Sequence, residues 1–187
     1  MTDRVIKQAD LPALLSSLMD HYRVYAPVRH QGMTNFQEIS AADQVDLSHV
    51  NTTLSPKSLM LPQSESMFQF TLVKTSEQAG ILREIEKNFS SRVIFAIRPC
   101  DAKSFQLLDL NFDTPSYRDP WWMRQRQSTT LVGLGCNQPC STCFCTSVGS
   151  GPFSTDGLDL LLIDTGDEFA IQTLTEKGKE LLLKTSV

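Results

Sequence analysis

The stretch Arg92-Val-Ile-Phe-Ala-Ile-Arg-Pro-Cys-Asp101 decides how this sequence folds. Its first six residues form a nearly continuous apolar run, which is typical of a strand buried on both faces. The run breaks at Arg98 and Pro99, and Asp101 is a suitable residue to cap a helix that follows. The stretch therefore predicts a strand–turn–helix unit with Cys100 in the turn.

A second unit of the same kind begins at Thr129-Thr-Leu-Val-Gly-Leu134 and leads into Cys136. If the two strands are parallel neighbours, Cys100 and Cys136 lie at the same carboxyl edge of the sheet, where ligands collect in open α/β sheets. We therefore predict an α/β fold (or the related α+β arrangement) with a central mixed sheet, flanking helices and a cysteine cluster at the carboxyl edge.

The remaining predicted elements follow from apolar periodicity and turn residues. Helices are predicted over 10–22, over 77–89 with Ser76 as cap, over 120–127 with Asp119 as cap, and from Thr175 to Leu183; strands are predicted over 22–28 and 35–39, 67–74, 158–164 and 168–173.

The length of 187 residues supports one domain, and we predict a single α/β domain over residues 1–187. Its 41% hydrophobic and 20% charged residues describe an ordinary globular protein. The net charge of −4 argues against a nucleic-acid partner, which needs a basic surface. No apolar run has the length of a membrane span. The charged first ten residues lack the apolar core of a signal peptide, so a cytoplasmic location is expected.

Four of the five cysteines fall within Cys136–Cys145, and the fifth is Cys100. Thiols in the cytoplasm stay reduced, and their clustering usually reflects metal binding or redox chemistry. An iron–sulfur cluster or zinc is therefore the expected occupant. A docking scaffold with zinc or no metal, and a thiol redox enzyme or sensor that uses the Cys143/Cys145 pair, remain as alternatives.

Three motifs resemble one known family: Arg98-Pro-Cys-Asp-Ala-Lys-Ser-Phe105, Asp119-Pro-Trp-Trp122, and Cys136 followed by Cys143-Phe-Cys-Thr-Ser-Val-Gly-Ser-Gly-Pro152. This is the iron–sulfur beta-subunit family of soluble hydrogenase/sulfur reductase, which includes the anaerobic sulfite reductase A subunit. The resemblance runs from about residue 4 to the end of the sequence.

The resemblance implies an iron–sulfur site, with [4Fe–4S] as the expected type, held by Cys100, Cys136, Cys143 and Cys145. Cys140 falls where the family often has another residue and is expected to be a spare thiol. The implied function is electron transfer in a multi-subunit oxidoreductase, with flavin- or nickel–iron-containing partners. The family's C-terminal ferredoxin-like module, with its two four-cysteine motifs, is absent from this sequence.

Lesser roles are predicted for several other side chains. The three histidines, His21, His30 and His49, lack ligand-like spacing and are predicted to lie at the surface. Trp121 and Trp122 are predicted to contact a partner, with burial in the protein's own core as the alternative. Arg98, Gly149 and Gly151 are the nearest sequence candidates for a cation and free amides beside a cluster.

Overall fold

A mixed seven-stranded sheet forms the centre of the protein in the computed structural model, which describes residues 4–185. The described residues form nine strands in all, two of which lie outside this sheet: β1 (Arg4–Lys7), β2 (Arg23–His30), β3 (Met33–Glu38), β4 (Phe68–Gln69), β5 (Arg83–Glu84), β6 (Arg92–Ile97), β7 (Thr129–Leu134), β8 (Leu160–Asp164) and β9 (Glu168–Thr173). The helices are α1 (Leu11–Met19), α2 (Pro99–Phe112), α3 (Pro120–Ser128) and α4 (Glu176–Lys184). Within the described range, no helix has the length and apolarity needed to cross a membrane.

The strand order is β1-β9-β8-β7-β6-β2-β3, with β4 and β5 forming a separate two-stranded ribbon. The four central strands β8, β7, β6 and β2 are parallel, and antiparallel strands flank them on both sides. This arrangement confirms the predicted α/β fold. It also confirms that β6 and β7 are parallel neighbours, so that the turns after them lie at one edge.

Helices cover both faces of the sheet. On one face, α1 and α4 pack against alternate residues of the central strands, including Val93, Val132 and Leu160. On the other face, α2 and α3 pack against the intervening residues, including Leu131 and Leu161. Every residue of β6 and β7 is buried, which explains their continuous apolar sequences.

A β-bulge interrupts β6 just before the turn that carries Cys100. The pairing with β7 passes from Phe95 directly to Ile97, and Ala96 adopts a left-handed conformation with φ of 60°. Phe95 and Ala96 consequently pack in the same core cluster, whereas Ile97 joins the cluster on the opposite face. The bulge therefore shifts the alternation of side chains immediately before the Cys100 turn, and such bulges commonly re-aim residues beside functional sites.

The predicted helix over 77–89 is wrong, and the predicted strand over 67–74 is reduced to Phe68–Gln69. Gly80 has φ of 74°, and its N–H donates to the carbonyl of Thr71. An amphipathic helix draws most of its stability from packing of its apolar face, but Leu82 is 62% exposed and has no core to cover. The chain forms a short ribbon instead.

The other predicted elements are present, with small shifts in their ends. The structure contains the helix after residue 10, the β2–β3 and β8–β9 hairpins, the helix capped by Asp119 and the helix capped by Thr175. Asp101 is not a cap, because α2 begins earlier than predicted, at Pro99, with Arg98 as the N-cap residue. Proline suits the first helical turn because it has no N–H to leave unpaired.

Candidate metal centre

Cys100 lies in the first turn of α2, directly after β6. The backbone amides of Asp101 and Cys100 act to lower its pKa. Loss of hydration around the thiol, followed by the charge of Asp101, outweighs them and raises the pKa of Cys100 to about 11. The side chain still reaches solvent on its open side, so a ligand has access to it. Without a bound metal, this sulfur is a neutral thiol at neutral pH.

Cys136 follows β7 after the buried residue Gly135. The N–H of Cys136 donates to the carbonyl of Pro152 over 2.9 Å, and its Sγ donates to the carbonyl of Gln138 over 3.3 Å. A Cβ atom at Gly135 would lie 2.7 Å from the ring of Phe153, so only glycine allows this close approach. Residues 136 and 152 are therefore held together at the start and end of the cysteine loop.

Cys140 and Cys143 are in direct contact, which the sequence did not lead us to expect. Their sulfurs are 3.3 Å apart, and the N–H of Cys140 donates to the Cys143 sulfur over 3.1 Å. Hydrogen bonds from Thr142 and then Cys143 lower the pKa of Cys140 to about 7, whereas its bond to Cys140 raises the pKa of Cys143. The Cys140-x2-Cys143 spacing was a signal that could have identified this pair. This contact favours Cys140 and Cys143, rather than the predicted Cys143/Cys145 pair, for thiol redox chemistry.

Cys145 begins a short 3₁₀ turn that extends to Val148. Gly149 ends this turn in the left-handed region, with φ of 67°, and its N–H donates to the carbonyl of Cys145. The N–H of Ser150 donates to the same carbonyl over 3.0 Å. The expectation that Gly149 offers a free amide is therefore wrong, because the turn uses that amide internally.

Arg98 connects the segments that surround the site. Its Nη1 donates to the carbonyls of Gly135, over 2.8 Å, and Leu134, over 3.4 Å. Its Nη2 donates to the carbonyl of His49. Arg98 is 9% exposed, and burial lowers its pKa, while the nearby thiols of Cys136 and Cys100 act in the opposite direction. Its closeness in sequence to Cys100 was part of the prediction, but its contacts with the backbone were not foreseen.

The prediction that all three histidines lie at the surface is wrong for His49, which is 5% exposed. Its Nδ1 donates to the carbonyl of Asp46 over 2.8 Å, and its ring meets Phe36 edge to face. Burial, and then the charge of Arg98, lower the pKa of His49. Its Nε2 is buried without a hydrogen-bond partner in the described part of the chain. Sequence spacing missed this residue because its burial depends on a long-range contact with Arg98.

The cysteines form one electrostatic neighbourhood, although they do not converge on a single point. Charge interactions link Cys145 to Cys100, and Cys136 to Cys143. Within residues 4–185, no three cysteine, histidine, aspartate or glutamate side chains lie close enough together to hold one ion. The donor set nevertheless suits a soft metal centre, since it offers thiols with a buried cation beside them. The four-cysteine ligand set stays a prediction.

The two tryptophans have different environments. Trp122 is 3% exposed, stacks on Phe112 and donates to Asp109 Oδ1 over 2.7 Å, so it belongs to the core. Trp121 is half-buried, and Lys87 Nζ lies 3.4 Å from its ring centroid. The predicted partner contact is therefore wrong for Trp122, and the alternative of core packing is correct there.

Together, the fold and the site define an α/β protein with a thiol-lined site at the carboxyl edge of its parallel strands. The chain is similar to the sulfhydrogenase 2 subunit beta of Pyrococcus furiosus, with 30% identity over 172 residues. This match supports membership of the sulfhydrogenase beta-subunit family, as a distant relative, and confirms the resemblance seen in the sequence. The aligned region is 91% of this chain and 48% of the relative, so the chain spans about half of the relative's length. No family model and no solved structure matches the chain.

Proposed function

We propose that this chain is an electron-transfer part of a cytoplasmic hydrogenase-type oxidoreductase and that it carries a [4Fe–4S] site. The ligands in this proposal are Cys100, Cys136, Cys143 and Cys145. Substrate conversion would take place on partner subunits that carry flavin or nickel–iron. Such a cluster, when bound, supplies one-electron redox chemistry.

The observation that carries the proposal is the position of Cys100 and Cys136 after two adjacent parallel strands, with buried Arg98 beside both. Ligands of α/β sheets bind at this edge. The relative named above is a subunit of a sulfhydrogenase, which agrees with a redox role.

The chain's own residues would hold and tune the site. Cys100 lies in the first turn of α2, where the positive end of the helix dipole stabilises a thiolate. The bond between the Cys136 N–H and the Pro152 carbonyl keeps the two ends of the cysteine loop together. Because Phe144 is 68% exposed, an apolar side chain lies between two of the proposed ligands and is free to face a partner.

Anaerobic reconstitution with iron and sulfide tests the proposal. Wild-type protein and five variants, each with one cysteine replaced by serine, are compared by iron and sulfide content, visible absorption and electron paramagnetic resonance. We expect Cys100→Ser, Cys136→Ser, Cys143→Ser and Cys145→Ser to lose the cluster, and Cys140→Ser, the matched control, to retain it. Stoichiometric zinc in a colourless wild-type protein would contradict the proposal and favour the docking scaffold.

A thiol redox function is the second candidate, and the 3.3 Å contact between the Cys140 and Cys143 sulfurs favours it. A lowered thiol pKa next to a second thiol is typical of thiol–disulfide exchange. This function predicts that Cys140→Ser, but not Cys145→Ser, abolishes reversible disulfide formation in a redox titration. The two candidates therefore give opposite results for the same pair of variants.

A further inference from the structure

Arg98 lies at the one point where the two cysteine-bearing turns and the loop around His49 meet. We propose that Arg98 is the positioning residue of the metal centre: its guanidinium fixes the Cys136 turn against the Cys100 turn and provides the buried positive charge that balances an anionic thiolate centre. This inference rests on the proposed function, and it adds the residue that would set the reduction potential of that site.

The first argument is the charge of Arg98. Arginine keeps its proton even when buried, and buried charges are normally paired with an opposite charge. Among residues 4–185, Arg98 forms no ion pair with a carboxylate. Its Nε is also buried without a hydrogen-bond partner. Arg98 lies two residues before Cys100, and its guanidinium donates to the carbonyl of Gly135, the residue before Cys136. A thiolate centre at this position would supply the missing anion.

The second argument is the geometry of its contacts. The Arg98 guanidinium donates to three backbone carbonyls, those of Leu134 and Gly135 before Cys136 and that of His49. Arg98 itself is the N-cap of α2, two residues before Cys100. A single side chain thus joins both ligand-bearing turns. Lysine would keep the charge but could not span three acceptors with a planar fork of donors.

Arg92, at the other end of β6, is a matched control. It is also buried, at 8% exposed, and also lacks a carboxylate partner within the described residues. Its contacts are side chains far from the cysteines, with Nε donating to Thr129 Oγ1 over 2.7 Å and Nη2 lying 3.1 Å from Met60 Sδ. If the cysteine turns change simply because a buried arginine is lost, substitutions of Arg92 and of Arg98 should change them alike. If the contacts of Arg98 with these turns are the cause, only substitutions of Arg98 should change them.

The positioning role is tested in the reduced, metal-free chain by amide hydrogen exchange. We expect Arg98→Gln and Arg98→Lys to speed exchange at Cys136 about tenfold or more relative to the buried Leu131 amide, because charge-assisted hydrogen bonds to the turn are lost. Arg92→Gln should leave that ratio unchanged. Equal exchange in all three variants, or an effect of Arg92→Gln as large as that of Arg98→Gln, would overturn the positioning role.

The charge role is tested by the reduction potential of the reconstituted protein. Arg98→Gln should lower the midpoint potential, because removal of a nearby positive charge disfavours the added electron. Arg98→Lys should stay close to the wild type, and so should Arg92→Gln. Metal affinity, measured with iron alone, should fall by about 10-fold to 100-fold in Arg98→Gln. A midpoint that is the same in Arg98→Gln and Arg92→Gln would overturn the charge role.

The failures of the two proposals are distinguishable. If wild-type protein takes up no iron, the proposed function and the charge role fail together, and the exchange measurement still decides the positioning role. If Arg98→Gln does not fold, Arg98→Lys decides: rapid exchange at Cys136 with a retained midpoint supports the inference, and slow exchange at Cys136 contradicts it.

Discussion

Strand β6 has a buried arginine at each end, and the two ends satisfy their polar groups differently. At the amino end, Arg92 donates to a threonine hydroxyl and lies over the ring of Tyr25. Nearby, the buried carboxylate of Asp159 accepts from the Leu131 N–H over 2.8 Å and from the Thr175 hydroxyl over 2.5 Å. At this amino edge, these buried polar groups therefore find their hydrogen-bond partners within the protein itself.

Around the carboxyl end of the same strand, some buried polar atoms have no hydrogen-bond partner. Buried polar atoms without a partner are uncommon in folded proteins and call for an explanation. Among residues 4–185, three buried side-chain atoms have neither a hydrogen-bond nor an ion-pair partner, and they belong to His49, Arg98 and Ser150, around the cysteine turns. The comparison teaches that hydrogen bonds within the protein satisfy and stabilise the amino edge. At the carboxyl edge, some buried hydrogen-bonding atoms are left without a partner in the protein itself.

The largest effect is expected at Ala96, whose bulge separates the two ends. Ala96→Val should reduce the free energy of unfolding by about 3–5 kcal/mol, because a β-branched residue is strained at this positive φ and also overfills the core. Chemical denaturation measures the change. Ala96→Gly should be nearly neutral, since relief of strain offsets the loss of a buried methyl group. A well-tolerated valine would mean that the bulge is not needed to form the carboxyl edge.

The next effect concerns the amino edge. Asp159→Ala should reduce the free energy of unfolding by about 2–4 kcal/mol, because it leaves the buried Leu131 N–H without an acceptor. Iron uptake by the folded protein should be unchanged. Asp156→Ala is the control, since its partly exposed ion pair with Lys103 should contribute less than about 1 kcal/mol. Loss of iron uptake in folded Asp159→Ala would remove the distinction between the two edges.

A smaller effect is expected from pH at the carboxyl edge. Burial lowers the pKa of His49 in the folded state from its ordinary value of 6.5. The unfolded chain therefore binds this proton first, so stability is complete above pH 6.5 and is lost as pH falls through the folded pKa. His49→Gln should flatten that part of a stability–pH curve. Identical slopes for wild type and His49→Gln would show that His49 is accessible to protons in the folded state.

The smallest effect on stability is expected at Cys140. In metal-free protein exposed to mild oxidant, the adjacent sulfurs of Cys140 and Cys143 should form a disulfide, detected by mass spectrometry after alkylation. Cys140→Ser should prevent it and change the free energy of unfolding by less than about 0.5 kcal/mol, as for most surface substitutions. Cys145→Ser should leave the disulfide intact. A disulfide between Cys100 and Cys136 would show that the carboxyl edge closes more tightly than in the structure.

The sequence predicted the central architecture well where local pattern and tertiary packing agree. The apolar runs of β6 and β7 could only be satisfied in the middle of a sheet, and Asp119 caps α3 through its side chain as expected. The prediction was wrong where a local pattern lacked a surface to pack against. The stretch over 77–89 has helical periodicity, but it lies outside the core and Gly80 interrupts it.

By itself, the sequence determined the α/β fold, the family and the location of the cysteines after two strands, because these depend on periodicity and on motifs along the chain. Tertiary structure alone decided the burial of His49 and the three carbonyl contacts of Arg98. Each of these depends on a loop conformation or on contacts between residues distant in sequence, such as the 49 positions that separate His49 from Arg98. Hydrogen-bond partners of this kind are set by folding in three dimensions, and no spacing along the chain encodes them.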